Sequence, residues 1–485
     1  MDRGLSDINL ARNKKVPSKK TIWNFGKNVS IKPESYFQPT SSDELLTILN
    51  EHRGKKLRAV GSLHAWSDAA KTQGVVIELS QINSIEVDQA TQTVTVGGGC
   101  RVKHLLAELS KHGLTLPSVG LIDEQTVAGA AATATHGSGK HSLSHYIEST
   151  TIAHYDNESG EAKLTTIDSG LPLQAARCSI GLLGVVVAIR FRCRPQYNIC
   201  EHAKAHPSLD SVLDMESDHP QQQFYLMPWS WTYFGHHRVE TDRPRSFSAT
   251  IYRWYCFLVI DVGLHIAIYF LAKLLKQAWA IRFFFKRILP LTIARNWKVV
   301  DDSHAMLTME HELFRHIEIE LFVQRSQVRD ATKFLIDVLA WFGGQAMIHP
   351  AQTEAQLKEV EQLNQLPGFQ GRYVHHYPIC YRRIENDDAL ISSAACSQES
   401  EEDWYAISLI SFHWPGDRKG FFQFADFIGP VFAKLFGGRC HWGKYNPLNK
   451  QTNEQLYPQL PEFRKVVEQF DKNAAFKNDW LDQVI

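Results

Sequence analysis

Two stretches of the chain bring glycine, hydroxyl and imidazole groups together in patterns suited to holding a ligand. The first, Arg58-Ala-Val-Gly-Ser-Leu-His-Ala-Trp-Ser-Asp68, reads as a strand entering a Gly-Ser turn, with His64 just beyond it. Backbone N–H groups in such a turn can point at a pyrophosphate, because a glycine lets the chain approach closely. Taken alone, the same pattern also describes a turn followed by a satisfied polar histidine. The second stretch, Leu116-Pro-Ser-Val-Gly-Leu-Ile-Asp-Glu-Gln-Thr-Val-Ala-Gly-Ala-Ala-Ala-Thr-Ala-Thr-His-Gly-Ser-Gly139, is almost all small residues. That density lets backbone lie flat against a large planar or phosphate-bearing ligand. A tight helix–sheet contact would explain the small residues, but not the closing Thr135-His-Gly-Ser138. Neither a Walker A loop nor a G-x-G-x-x-G fingerprint is present, which disfavours a Rossmann-type site.

Carboxylates and further imidazoles lie in the second half. Ile317-Glu-Ile-Glu-Leu-Phe322 carries Glu318 and Glu320, which read either as site carboxylates or as a solvated strand face. His413, in Ser411-Phe-His-Trp414, sits on a presumed neighbouring strand as a base or a hydrogen-bond donor. The eight cysteines form no C-x-x-C pair and read as single buried hydrophobes, which fits a reducing compartment. No metal site is expected.

The elements that would position these groups alternate in type. Residues 43–53 read as a helix with Ser41 or Ser42 as N-cap. Short β-branched runs follow at 57–60, 75–79, 84–87 and 93–96, then a helix at 102–112 and a strongly β-branched strand at 185–193. Residues 20–200 are therefore expected to form an α+β domain. Beyond it, strands at 317–324, 375–383 and 406–413 with helices at 328–342 and 421–436 predict a second sheet-based unit over 201–485. The aromatic-bearing tail, 454–485, is expected to pack back on the body.

A length of 485 residues suggests two or three domains, and 44% hydrophobic with 21% charged residues is ordinary for a globular protein. The zero formal net charge excludes the basic footprint of a nucleic-acid binder. The basic run Arg12 to Lys20 reads as a solvated arm, and the N-terminus lacks an apolar secretory core. An intracellular location, cytoplasmic or peripherally membrane-associated, is expected. The segment 252–289 bears on that choice. On a helix, Asp261, His265, Tyr269, Lys273 and Lys276 form a polar stripe opposite Phe257, Leu258, Leu264, Ile268, Leu271 and Leu275. That is an amphipathic pattern rather than a spanning one. It reads either as a membrane-interface helix or as one buried on the protein's own core.

Together the two glycine-containing stretches resemble the FAD-binding domain of the vanillyl-alcohol oxidase/p-cresol methylhydroxylase (PCMH-type) superfamily. The nearest likeness is to aldonolactone and alditol oxidases. Trp23-Asn-Phe-Gly-Lys-Asn28, Ala175 to Val187, and Gly438-Arg-Cys-His-Trp-Gly-Lys444 extend the match, the last resembling the family's His-Trp-(Gly/Ala)-Lys signature. The resemblance implies a PCMH-type FAD domain followed by an α+β substrate (cap) domain on an antiparallel sheet. It implies FAD attached through His64, although Leu63 and Ala65 stand where relatives often carry Gly and Ser. Gly61, Ser62, Thr126, Gly129, Ala131, Thr133, Ala134, His136, Gly137, Ser138 and Val186 would surround the cofactor. Gly120 matches a gate position where glycine admits oxygen and alanine accompanies dehydrogenases.

On the substrate side the resemblance implies Lys444 as a cation near the flavin or the substrate oxygen. Tyr377-Pro-Ile-Cys-Tyr-Arg-Arg383 resembles a strand that usually reads Phe-Pro-(Val/Ile)-Glu-x-Arg. Arg382 is retained, but Cys380 replaces the Glu, so Glu318 or Glu320 is the candidate replacement. The expected activity is hydride transfer from a hydroxyl-bearing carbon of a sugar-derived alcohol or aldonolactone to FAD, with O2 reduced to H2O2. The alternatives are a same-fold dehydrogenase serving a quinone or cytochrome, and a non-catalytic membrane-associated flavoprotein.

Overall fold

The computed structural model describes residues 21–293, 296–309, 315–396, 402–412, 414 and 418–485. The basic run 12–20 and His413 lie outside the described residues.

The first part of the chain is organised by a three-stranded and a five-stranded sheet, beside two-stranded pairings of 22–23 with 30–31 and of 114–115 with 194–195. Strands Ser35–Phe37, Val75–Glu78 and Leu57–Val60 pair in parallel in that spatial order, with helix Ser42–Glu51 packed against them. That helix begins where predicted, because Ser41 Oγ accepts the Glu44 backbone N–H at 3.2 Å. The second sheet is antiparallel and runs Ala162–Ile167, Ile147–Tyr155, Val185–Arg192, Thr93–Gly97, Ile85–Asp88. Its core takes in Val94, Val96, Ile152, Ile189 and Phe191 together with the helix residues Leu105, Leu109, Ala130 and Ala131. Tyr457, Leu460, Phe463, Val466, Leu481 and Val484 from the tail complete the same core, so the tail does pack back on the body.

The second part is organised by one eight-stranded antiparallel sheet. Its spatial order is Lys298–Asp302, Asn198–His206, Thr232–Thr241, Gln223–Met227, Ile379–Ile384, Trp404–Phe412, His316–Gln324, Arg439–Cys440. The mixture of helix and antiparallel sheet is the α+β class expected. Side chains alternate across a sheet with a period of two, and here the two faces have different tasks. Ile317, Ile319, Leu321 and Val323 join Ile379, Tyr381, Ile407 and Leu409 in a core with helices Val328–Phe342 and Lys419–Phe436. The opposite face presents His316, Glu318, Glu320, Cys380, Arg382, Ser408 and Ile410 to a cavity. A one-residue slip in register would exchange these two sets.

The apolar segment folds as a helix over Ala249–Leu275, partly of π type, then turns at Lys276 and returns through 278–292. Leu264, Ile268, Ile281, Phe285 and Leu289 pack on Met227, Phe234 and Tyr377 of the sheet unit. The anticipated division into one polar and one apolar side does not hold. Apolar residues point both inward and outward, while the predicted polar stripe runs along the flank. There, His265 lines the cavity and Lys273 lies 3.0 Å from the Trp414 ring centroid. A helix wound more loosely than 3.6 residues per turn redistributes residues placed by that period. By length and composition, Ala249–Leu275 is also long and apolar enough to cross a membrane.

All eight cysteines are free, and each is buried or half-buried, as their single placement in apolar stretches suggested.

Candidate active site

Strand Leu57–Val60 delivers its Gly-Ser turn to the edge of a cleft lined by Gly61, Ser62, Leu63, His64, Ala65, Thr126, Gly129, Thr133, Gly181, Gly184 and Val186. The turn is fixed from both sides. Ser62 Oγ donates to the Glu124 carbonyl at 2.7 Å, and Leu63 adopts a left-handed φ of 57°. A side chain at Gly61 would bring Cβ to 2.0 Å from Thr126 Oγ1, so only glycine fits there. Thr126 in turn caps the short helix Val127–Ala132, its Oγ1 accepting the Gly129 N–H at 3.3 Å. The lining is therefore backbone and small side chains, the surface a flat ring system and its phosphates require.

His64 stacks on Phe25, with ring centroids 4.8 Å apart. Its Nδ1 is buried without a hydrogen-bond partner. Burial, opposed by Glu124, pushes the imidazole down to about 4, so the ring is neutral near pH 7. A neutral imidazole nitrogen is a competent nucleophile. The small-residue cradle fits a bound FAD.

The remaining predicted cofactor residues divide into groups. Ala131 and Ala134 are buried in the core of the first part. Ser138 Oγ donates to the Gln222 carbonyl, tying the loop to the second sheet. A Cβ at Gly137 would meet the Val119 carbonyl at 2.6 Å, and one at Gly120 would meet Thr135 Cγ2 at 2.5 Å. His136 lines the neighbouring cavity instead of the cleft.

That neighbouring cavity, of about 200 Å³, shares Gln125, His441 and Lys444 with the cleft, so the two meet at this polar corner. Lys444 Nζ donates to Glu318 Oε2 at 2.6 Å and stands 4.3 Å from the Trp66 ring centroid. Glu318 also accepts the Ser408 hydroxyl, and His316 Nε2 is 3.5 Å from its Oε2. Burial alone would raise the Glu318 carboxyl, but the Lys444 ammonium overrides it and holds the group well below the usual range. Lys444 owes its position to Trp442, which is fully buried and donates Nε1–H to the Ile391 carbonyl at 2.6 Å.

Glu320 is the second carboxylate. Its Oε1 lies 3.5 Å from His136 Nε2 and 3.9 Å from Arg382 Nη1, yet it accepts no hydrogen bond. Burial opposes ionisation here too, and the neighbouring His136 charge outweighs it, bringing the carboxyl down to about 2. The solvated-face reading of these two glutamates is overturned, because Glu318 is 4% and Glu320 2% exposed. The cross-strand register places Glu320 close to position 380. Ser408 pairs with Cys380 on one side and Glu320 on the other, so the three lie side by side. The Cys380 thiol itself is pushed up to about 11 by burial and stays neutral.

His441, not among the residues singled out from the sequence, completes the corner. Its Nδ1 accepts the Gly443 N–H at 2.9 Å, which leaves the proton on Nε2. Donor atoms of His136, Glu320 and His441 all lie within 4.8 Å of one another. Its place within His441-Trp-Gly-Lys444 was the available signal.

An FAD-binding domain profile matches residues 33–158, and a D-arabinono-1,4-lactone oxidase profile matches residues 189–484. The chain is 45% identical over 464 residues to a long-chain alcohol oxidase of an uncultured marine euryarchaeote, covering 95% of this chain and 96% of that one. It is 27% identical to the L-gulonolactone oxidase of Mus musculus, over 95% and 97% of the two chains. Among solved structures, the cholesterol oxidase of B. sterolicum superimposes with a TM-score of 0.68 over 95% of this chain and 96% of that one, at 13% identity, which speaks to the fold. The chain therefore belongs to the D-arabinono-1,4-lactone oxidase family and is an FAD-dependent oxidoreductase that acts on CH–OH groups with oxygen as acceptor.

Proposed function

We propose that this enzyme oxidises the terminal hydroxyl of long-chain primary alcohols rather than a sugar-derived lactone or alditol. The observation that carries this reading is the wall of the substrate cavity. Beyond the corner of Glu320, Arg382, His441 and Lys444 it is mainly apolar, with Met227, Phe234, Ile260, Leu264, Leu289 and Ile410 interspersed with Tyr225, His236, Tyr252, His265 and Tyr377. A polyol there would leave several hydroxyls against hydrocarbon, at a cost of roughly 1–3 kcal/mol for each left unsatisfied. An alkyl chain gains from the same wall. Cys380 supports the reading, since a neutral thiol offers no carboxylate to vicinal hydroxyls. So does the euryarchaeal relative, whose name specifies long-chain alcohols and whose identity to this chain is the higher.

In this reading His64 carries the FAD, and bound FAD supplies the hydride acceptor. Glu320 Oε1, buried with His136 Nε2 3.5 Å away, accepts the substrate hydroxyl's hydrogen bond and takes its proton. Arg382 and Lys444 hold the negative charge that develops on the substrate oxygen, and His441 Nε2–H orients it. Gly120 leaves room for Thr135, whose Cγ2 would stand 2.5 Å from a Cβ there, and marks the side from which oxygen would reach the flavin. The domain division near residue 200 separates the cofactor cradle from the sheet that carries these groups. The enzyme is intracellular and touches a lipid surface peripherally through 252–289.

The test is a chain-length series of primary alcohols with peroxide detection. The reading expects kcat/KM to rise from butanol to hexadecanol and gulonolactone to be turned over poorly. A preference for the lactone would overturn it.

A further inference from the structure

The hairpin 249–292 carries hydrocarbon on two opposite sides. Tyr252, Cys256, Ile260 and Leu264 of its first helix line the substrate cavity. On the other side Trp254, Leu258, Ile266, Phe270 and Leu274 are between 50% and 63% exposed. The returning helix adds Trp279, Phe283 and Leu291 to this outer ridge. Single exposed apolar residues are ordinary on a soluble protein, but a contiguous ridge over two helices marks a contact surface.

The charge of the hairpin selects the contact. Within 249–292 Asp261 is the sole acid against six bases; Arg253 pairs with Asp301 and Arg282 with the Gly343 carbonyl, and Lys273, Lys276, Lys286 and Arg287 supply the excess, in a chain whose totals balance at 52 and 52. Two such hairpins facing each other would bring like charges together, whereas anionic lipid headgroups complement them while the ridge meets acyl chains. The first helix cannot be ringed by lipid, because one side of it is cavity wall. The hairpin therefore lies along one leaflet.

We propose that this ridge seats on an anionic bilayer leaflet and that long-chain alcohol passes from the leaflet into the cavity between the two helices of the hairpin. The passage sits beside Tyr255, whose hydroxyl donates to the Thr292 carbonyl at 2.8 Å and joins the two helices there. Cys256, Leu289 and Ile293 line the cavity next to this link. Parting it opens a hydrocarbon path from the ridge to the polar corner. The cargo rests on the long-chain alcohol reading; the seating does not.

The experiment uses the full-length flavoprotein and the triple variant Leu258→Ser/Ile266→Ser/Leu274→Ser, whose substituted residues point away from the cavity. Wild type should float with vesicles of phosphatidylcholine and phosphatidylglycerol, less so with phosphatidylcholine alone, and the variant should not float. On hexadecanol presented in the anionic vesicles the variant should lose about tenfold or more in rate, while butanol in solution is oxidised as by wild type. Failure of wild type to float, or a variant that floats and works on vesicle hexadecanol like wild type, overturns the proposal. So does a variant whose main change is from dimer to monomer. If no primary alcohol is oxidised, the substrate reading and the delivery route fall together, and flotation still decides the seating.

Discussion

Lys444 Nζ lies 2.6 Å from Glu318 Oε2 at the seam between the cofactor cleft and the substrate cavity, where Glu318 is buried and Lys444 is mostly so. A buried pair of this kind is costly to break from one side, because the partner remains charged and unmatched. Lys444→Met should therefore destabilise the fold by about 3–5 kcal/mol. Adding Glu318→Gln should restore much of the melting temperature without restoring turnover. Thermal denaturation and kcat measured on the single and double variants separate the structural part of Lys444's role from the chemical part.

Glu320 should show the opposite profile. Its Oε1 accepts no hydrogen bond from the protein, so Glu320→Gln removes a proton acceptor while disturbing few contacts. A loss of roughly 10²–10⁴ in kcat with little change in KM is expected. A change confined to KM would mean that Glu320 only binds.

His64→Ala should release the flavin. Acid precipitation of the wild type should leave a yellow pellet, and the same treatment of the variant a yellow supernatant. Colour in the wild-type supernatant would remove the covalent link and leave the cradle intact.

The protein should be acid-labile before its carboxylates titrate. Burial holds His237 and His441 down to about 3 and His265 to about 4. Unfolded, each takes a proton near 6.5. Below that pH the unfolded chain binds protons the folded chain refuses, so stability falls from about 6.5 towards 3–4. Glu320 acts in the same direction at lower pH. Its folded value is depressed to about 2, so its contribution is present above the ordinary carboxylate range and lost as pH falls through that value. Melting temperatures should be flat above pH 7 and decline between pH 6.5 and 4. A flat profile across that interval would show that these histidines are solvated.

Cys380→Glu should place a carboxylate where the sequence resemblance implies one. Next to Ser408 and Glu320 it would put two carboxylates in one buried site, and kcat/KM for hexadecanol should fall by about tenfold or more. Retained activity on long alcohols would mean that the thiol has no part in selecting them.

The cofactor half of the site was legible because its constraints are local. A Gly-Ser turn before His64 and a run of small residues ending at Ser138 state their geometry within one stretch of chain. Glu318 and Glu320 could be narrowed to a pair by strand periodicity, but burial depends on what covers the face. That cover comes from the loop around Thr135 and His136, far away in sequence. The apolar hairpin was the least legible element. Periodicity assigns residues to faces only if the helical pitch is known, and the π-type winding of 256–264 and 269–275 changes it. His441 was hidden differently, inside a motif whose lysine drew the attention.

The central claim is that an apolar alcohol chain, not a sugar, fills the cavity beside the flavin. Anaerobic mixing of the flavoprotein with hexadecanol, followed by flavin absorbance, addresses it without relying on oxygen or on any coupled reaction. Hexadecanol should bleach the flavin rapidly, and gulonolactone at equal concentration slowly or not at all. Bleaching by the lactone alone would contradict it.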